Sequence, residues 1–243
     1  MINWIKKELI EYKYLLRNVP GTVTALFVVS VIGMNLLANK ELLNIGWLAL
    51  DCGYALSWLS FLCMDMLCKR FGGKAGVKMS IFALAINLVL TGLFKLMTLT
   101  PGMWAAFYDT GLTEVNTALN STFGGTWYIV LGSSVAMLVS SLVNASVNVG
   151  IGKLCKTNSY KAFAARSFIS TGLGQFVDNF VFGTMVSKVF FGWTWSAVIL
   201  CALSAALVEL LFEIIFSPIG FKISKNWETE KVGQQYVDMY CKA

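Results

Sequence analysis

Six long apolar segments constrain this chain more than any other feature of its sequence. They lie roughly at 21–38, 45–67, 76–97, 126–151, 163–190 and 194–217. A bilayer core about 30 Å thick needs about 20 apolar residues per helix, and each segment comes close to or exceeds that length. Because lipid cannot satisfy backbone polar groups, segments of this kind span a membrane as helices. The sequence therefore predicts an all-α integral membrane protein whose six transmembrane helices form a compact bundle.

Composition agrees with a membrane protein and excludes several classes of site. The chain is 57% hydrophobic and 13% charged, whereas soluble domains carry about 25% charged residues. It has no histidine, which excludes imidazole proton relays, histidine metal sites and histidine-based triads. The six cysteines are scattered without metal-site spacing. We therefore predict no enzyme, no metal site and no cofactor.

The chain divides into three parts. Residues 1–18 place apolar side chains on one helical face and charges opposite, which predicts an amphipathic helix lying at the membrane interface or packing on the bundle. Residues 19–220 hold the six spans, and residues 221–243 form a C-terminal tail. The connection at 98–125 is the longest, and we expect an irregular or short interfacial element there.

Basic residues mark one side of the predicted bundle. The net charge of +6 would suggest nucleic acid in a soluble protein, but here the charges lie in short loops and indicate topology, so we predict no nucleic-acid partner. The positive-inside rule places both termini in the cytoplasm. The basic residues of the four predicted inner segments are Lys6, Lys7, Lys13, Arg17, Lys69, Arg70, Lys74, Lys78, Lys153, Lys156, Lys161, Lys222 and Lys225.

A stripe of polar residues runs along the fifth predicted span. Thr171, Gln175, Asp178 and Phe182 stand at i, i+4, i+7 and i+11, so they share one helical face. A charge near the bilayer centre costs at least about 2.5–3.5 kcal/mol. We therefore expect this face to meet a protein interior or a water-filled cavity, and Glu209 in the sixth span is its predicted partner.

Other buried polar residues have structural and functional interpretations. Asp65 is predicted either to pair with Lys69 and Arg70 or to contact a ligand. Arg166 is predicted to neutralise Glu213 or Asp65. A charge cluster that merely holds helices together remains an alternative to a solute site at the midplane.

Carboxylates and amides of this kind match a guanine-like base, because such a base offers N–H donors and a carbonyl acceptor. A cationic amine or an amino acid fits them nearly as well. Aromatic side chains supply candidate stacking faces, namely Trp58, Phe61, Phe176, Phe180 and Phe182. The residues alone therefore predict a transporter of a small polar solute.

Three sequence blocks resemble a known family. They are MNLLANK (34–40), LSWLSFLCMDMLCKRFGGKAG (56–76) and RSFISTGLGQFVDNFVF (166–182). In this order they resemble blocks of the VUT family, the vitamin-uptake-type or queuosine precursor transporters. The resemblance implies a bundle similar to the substrate-binding subunits of energy-coupling-factor importers, located in a bacterial plasma membrane. It also implies import of a nucleobase-like solute: a 7-deazaguanine base, queuine or the queuosine nucleoside.

Residues carried over from the family, together with the buried carboxylates above, make up the predicted substrate site. They are Asn35, Asp65, Asn144, Arg166, Thr171, Gln175, Asp178, Phe182 and Glu209.

The chain departs from the family pattern at three places. Ser140–Asn144 reads SSLVN, with Ser for Gln and Asn for Asp, and Tyr128 stands where an arginine is expected. A lysine usual in the sixth span is replaced near Glu209. These changes alter the charge of the site and predict a different precursor, such as a cationic or sugar-bearing one.

Several functions fit this pattern. The first is an importer that works by alternating access in one chain. The second is a binding subunit that docks an ATP-driven coupling module, which the absence of a clear AxxxA in Thr24–Gly33 disfavours. Import of another small polar solute or vitamin, or a membrane scaffold without transport, is also left open. So are a coupling proton or sodium ion and a homodimer.

Overall fold

The fold is an α-helical bundle with one small hairpin, as seen in a computed structural model that describes residues 2–45, 49–100, 111, 113–125, 127–154 and 159–241. The helices are α1 (Ile2–Asn18), α2 (Gly21–Leu37), α3 (Tyr54–Phe71), α4 (Gly73–Met97), α5 (Thr113–Asn120), α6 (Trp127–Leu154), α7 (Tyr160–Phe182), α8 (Lys188–Phe191), α9 (Trp195–Thr229) and α10 (Gln234–Tyr240). Strands β1 (Glu41–Asn44) and β2 (Ala49–Asp51) pair antiparallel. Single π-helical turns, Ser121–Gly125 and Gly183–Ser187, precede α6 and follow α7.

Three helical runs within the described residues are long and apolar enough to cross a membrane: Gly73–Met97, Thr113–Leu154 and Trp195–Thr229. A fourth arises if the bent pair Ile5–Asn18 and Gly21–Leu37, which meet at 106°, counts as one span. Helices α3 and α7 are outside this set; α3 contains Asp65, Lys69 and Arg70, and α7 contains Arg166, Gln175 and Asp178. The all-α membrane architecture predicted from the sequence is thus present, with three to four spans evident from length and composition.

The second predicted span begins too early. Its residues 49–51 form strand β2, in which Asp51 lies opposite Glu41 of β1, and the helix starts only at Tyr54. The Asp51 carboxylate accepts a hydrogen bond from the backbone N–H of Gly53 at 2.6 Å, which is the local turn that aspartate favours. The prediction of a helix from residue 45 was wrong because an apolar run does not by itself distinguish strand from helix.

The connection at 98–125 contains a short helix, α5, and a π-helical turn. This agrees with the expected short element. Residues 101–110 and 112 of the same connection lie outside the described part of the chain.

Helix α7 lies against two long helices of the bundle. It packs against α6 and α9, while α3 packs against α2, α4 and α9. A Cβ added to Gly174 of α7 would lie 3.0 Å from the Asn144 side chain of α6. The absence of a side chain there lets the two helices approach closely. The polar stripe of α7 therefore faces protein, as predicted.

The bundle has two ends. The end that holds the hairpin and the first turns of α3 and α9 is called the hairpin end. The opposite end, where α1 and α10 lie, is called the termini end. There the C-terminal helices extend beyond the sixth predicted span, since α9 continues to Thr229 and α10 packs against α1 and α3.

Helix α1 docks on the termini end through ionic contacts. Lys78 of α4 lies 2.9 Å from carboxylate oxygens of both Glu8 and Glu11, and Lys74 makes two further ion pairs with them. Tyr236 of α10 donates a hydrogen bond to Glu11 at 3.1 Å. The helix thus packs on the bundle, while Leu9 on its apolar face stays 64% exposed.

Candidate functional site

A cavity of about 370 Å³ lies at the hairpin end. It is formed by the hairpin and by the adjoining parts of α2, α3, α6, α7 and α9. Pockets for small ligands typically measure about 300–1,000 Å³. The polar residues that line it are Asn35, Glu41, Asn44, Asp51, Tyr54, Ser57, Ser133, Asp178, Asn179, Ser187 and Glu209.

Four of the nine predicted site residues line this cavity: Asn35, Asp178, Phe182 and Glu209. Asp178 accepts a hydrogen bond from Ser140 of α6 at 2.8 Å. Asn35 donates to the carbonyl of Val31 in its own helix at 2.9 Å, which fixes the amide orientation. The cavity therefore combines carboxylates and amides on separate helices.

A hydrogen-bonded chain of three side chains crosses the cavity wall. The hydroxyl of Tyr54 donates to Asn179 Oδ1 at 2.6 Å, and Asn179 Nδ2 donates to Glu209 Oε2 at 3.0 Å. These residues belong to α3, α7 and α9. The chain orients the Glu209 carboxylate, which is 3% exposed, from two other helices.

A second polar cluster, here called the inner cluster, surrounds Asp65 deeper in the bundle. Asp65 is fully buried. Asn144 and Asn148 donate to its Oδ1 at 3.0 and 3.1 Å, and Thr171 donates to its Oδ2 at 3.0 Å. Ser167 contacts both Asp65 and Glu213. The predicted site residues Asp65, Asn144 and Thr171 thus meet one another and not the cavity.

Gln175 stands between the cavity residue Asp178 and the inner-cluster residue Thr171 on α7. Its side chain is fully buried, and neither its Nε2 nor its Oε1 has a hydrogen-bond partner. Buried amides are normally hydrogen-bonded, because leaving one unpaired costs about 1–3 kcal/mol. Gln175 therefore holds an unpaired donor and acceptor between the cavity and the inner cluster.

Arg166 acts on the charge of Asp65 from a distance but forms no ion pair with Asp65 or Glu213 in the described part of the chain. No ion pair within 4.0 Å joins it to either carboxylate among the described side chains, and its Nε is buried without a hydrogen-bond partner. Its guanidinium packs beside Gly152 of α6, where an added Cβ would lie 2.9 Å from Nη1. The alternative pairing of Asp65 with Arg70 also fails, since Arg70 donates to Val232 and Gln234.

Most of the predicted stacking aromatics lie outside the cavity. Trp58 stacks on Phe216 with ring centroids 4.1 Å apart, and Phe176 stacks on Phe180. Only Phe182 of that set lines the cavity, where Phe191 and Trp193 join it. The error arose because aromatic residues on a membrane helix also pack against lipid-facing neighbours, which spacing alone does not reveal.

Tyr54, Ser140, Ser167 and Asn179 were missed as site residues. Asn179 had a signal, because it directly follows Asp178 and is an amide inside an apolar run. No sequence signal distinguished the serines and the tyrosine, since hydroxyl groups occur throughout membrane helices.

A match to a protein family identifies the kind of protein that carries these sites. Residues 51–222 match the model of a protein family described as "Putative vitamin uptake transporter". The chain belongs to this family. The match confirms the resemblance found in the sequence blocks and contains all the predicted site residues except Asn35. No curated protein and no solved structure shows a significant match.

This vitamin uptake transporter is therefore a multi-pass membrane protein that takes a small molecule as substrate. Within the described residues, no group of three or more cysteine, aspartate or glutamate side chains could hold a metal ion.

Proposed function

We propose that this transporter imports a queuosine precursor, either a 7-deazaguanine base, queuine or the queuosine nucleoside, through the hairpin-end cavity. The observation that carries the proposal is the pairing of the carboxylates Asp178 and Glu209 with the amides Asn35 and Asn179 around 370 Å³ of space. A guanine-like edge offers two N–H donors to a carboxylate, and its carbonyl accepts from an amide. Phe182 and Trp193 are the stacking faces for the ring.

The proposed orientation of the cavity rests on charge. The basic residues of the chain concentrate toward the termini end, so the positive-inside rule puts that end in the cytoplasm. The cavity then faces the outside of a bacterial plasma membrane, where an importer collects its substrate. Six helices, α2, α3, α4, α6, α7 and α9, are the proposed spans, and alternating access moves the substrate toward the inner cluster.

A cationic or sugar-bearing precursor is favoured over the neutral base. The described cavity lining contains the four carboxylates Glu41, Asp51, Asp178 and Glu209 and no lysine or arginine. Tyr128, at the place of the family arginine, instead stacks on Phe190 with centroids 4.4 Å apart. A cavity of this charge attracts a positively charged amine on the substrate.

The test is thermal-shift screening of the purified protein against 7-deazaguanine bases, queuine, the queuosine nucleoside and guanine, followed by uptake into proteoliposomes. We expect stabilisation and uptake by queuine or the nucleoside, which carry a basic aliphatic amine that guanine lacks, and weaker effects from guanine. Asp178→Asn should abolish both, whereas the exposed Asp238→Asn serves as the matched control. Stabilisation by none of these compounds would refute the proposed substrate class.

The alternative assignment, a binding subunit for an ATP-driven module, is tested by the same proteoliposomes. Uptake by the chain alone supports the importer. Tight binding without any uptake would favour the subunit.

A further inference from the structure

The inner cluster contains two fully buried carboxyl groups joined by one hydroxyl. Ser167 Oγ lies 2.6 Å from Glu213 Oε1 and is also in hydrogen-bond contact with Asp65 Oδ2. Asp65, Ser167 and Glu213 are each 0% exposed. They belong to α3, α7 and α9, so three helices meet at this hydroxyl.

The number of protons decides how these contacts are made. A serine hydroxyl has one proton and can donate only once. If both carboxyls were ionised, one of its two short contacts would join oxygens with no proton between them. A proton on Glu213 completes both bonds, because Glu213 then donates to Ser167 Oγ and Ser167 donates to Asp65.

The other partners identify which carboxyl holds the proton. Asp65 accepts additional hydrogen bonds from Asn144, Asn148 and Thr171, as an ionised group does. Glu213 Oε2, by contrast, is buried with no hydrogen-bond partner. A buried ionised carboxylate with an unpaired oxygen would be costly, so the protonated form belongs on Glu213.

No ion pair joins either carboxyl to a cation within the part of the chain that the structure describes. The titratable groups that face it are the thiols of Cys63 and Cys68 on α3 and the guanidinium of Arg166 on α7, and Arg166 forms no ion pair there. Helix α2 contains no titratable residue and α6 faces Asp65 with amides. One bound proton is therefore what lowers the charge of the cluster.

A hydroxyl pair continues from this cluster toward the termini end. Ser217 stands one helical turn beyond Glu213 on α9, and its hydroxyl lies 3.0 Å from that of Tyr160, which is 39% exposed. On the other side, Thr171 and Gln175 lead toward the cavity along α7. The cluster thus lies between the cavity and a partly exposed hydroxyl.

We propose that Glu213, hydrogen-bonded through Ser167 to Asp65, is an exchangeable proton-binding site and that the proton is the coupling ion of transport. The proton leaves the Glu213 carboxyl toward the termini end and leaves a carboxylate, and a proton from the other side restores the acid in each cycle. This coupling role rests on the proposed import function, whereas proton binding itself does not.

The first experiment needs no substrate. Infrared difference spectroscopy of the purified protein in lipid detects the C=O band of a protonated carboxyl separately from carboxylate bands. We expect such a band at neutral pH, its loss in Glu213→Gln and its retention in Glu228→Gln, the same substitution at an exposed position of α9. Should Glu213→Gln not fold, Ser167→Ala replaces it, and the band should shift in frequency because its hydrogen-bond partner is gone. A spectrum without a protonated-carboxyl band that depends on Glu213 or Ser167 would overturn the site.

The second experiment tests coupling in proteoliposomes, with radiolabelled queuine added on the outside as the probe. A pH gradient at clamped membrane potential should drive accumulation at least 10-fold above equilibrium in wild type and Glu228→Gln. Glu213→Gln should exchange queuine between the two sides but accumulate none. Accumulation driven by a sodium gradient and indifferent to the pH gradient would overturn proton coupling. A Glu213-dependent band in a protein that transports none of the queuosine precursors leaves proton binding supported and refutes the import function.

Discussion

Asn179 and Glu209, 30 residues apart in the sequence, meet at 3.0 Å in the cavity wall. The same amide accepts a hydrogen bond from Tyr54, 125 residues away, at 2.6 Å. One side chain of α7 is thereby hydrogen-bonded to both α3 and α9 beside the space assigned to the substrate.

Removing the Asn179 amide should weaken substrate binding. In Asn179→Leu the Glu209 carboxylate loses a charge-assisted hydrogen bond, worth about 1.5–3 kcal/mol, and Tyr54 loses its acceptor. We expect the Kd for the best precursor to rise about 10- to 100-fold in ligand titrations. Tyr54→Phe keeps the ring and the Asn179–Glu209 hydrogen bond, so its Kd should rise less. An equal or larger rise in Kd would contradict the assigned hydrogen-bond order Tyr54–Asn179–Glu209.

Replacing Gln175 should abolish uptake without lowering the stability of the protein. Gln175→Leu removes a buried amide whose donor and acceptor are unpaired, so the melting temperature in detergent should stay unchanged or rise. Uptake should nevertheless be lost, because the amide is available to the substrate during its passage. Gln235→Leu, an exposed change of the same type, is the control. Normal uptake by Gln175→Leu would show that this amide is structural.

Neutralising Asp178 and neutralising Glu209 should change uptake in different ways. Asp178→Asn should abolish uptake while expression and folding stay near normal. Glu209→Gln preserves an oxygen acceptor for Asn179, and it should therefore shift the substrate preference or the pH dependence of uptake. If the Glu209→Gln profile matches wild type in both respects, Glu209 has a structural role.

The ion pairs of α1 should make stability depend on pH at the acid end. Hydrogen bonds from Lys78 and Lys74 hold the pKa of Glu8 below its ordinary value. Burial opposes ionisation of Glu11, but hydrogen bonds from the same two lysines outweigh it, and its pKa is also lowered.

Groups with lowered pKa values stabilise the folded state above their ordinary pKa of about 4.5. That stabilisation is lost as the pH falls through the lowered values, because the carboxylates must then be protonated. The melting temperature in detergent should thus fall below about pH 4.5, and the double change Glu8→Gln with Glu11→Gln should flatten this slope. Glu114→Gln, an exposed change on α5, should leave the slope intact; a flat wild-type profile would contradict the prediction.

Much of the architecture could be predicted from the amino-acid sequence. Apolar length predicted the membrane class and most of the long helices, and period 3.6 placed Thr171, Gln175 and Asp178 on one face. These are local properties, since they depend only on residue type and helix geometry. The paired strands at 41–44 and 49–51 were not predicted, because their apolar residues fit either a strand or a helix and the choice depends on the strand partner.

The division of the polar residues into two sites required the fold. The sequence presented Asp65, Asp178, Glu209 and Glu213 as one set of buried carboxylates. Packing assigns Asp178 and Glu209 to the cavity and Asp65 and Glu213 to the inner cluster, and it leaves Arg166 bound to neither acid.

By itself, then, the sequence determined the membrane environment, the helical class, the family and the face of α7 that avoids lipid, because burying polar groups in hydrocarbon is costly wherever the helix goes. Only the tertiary structure decided which donors meet which carboxylates. Hydrogen bonds act over about 3 Å, and helical periodicity fixes a direction around one axis but no distance to another helix. The serine between Asp65 and Glu213 is the clearest case, since nothing in its sequence context distinguishes it from the other serines of the bundle.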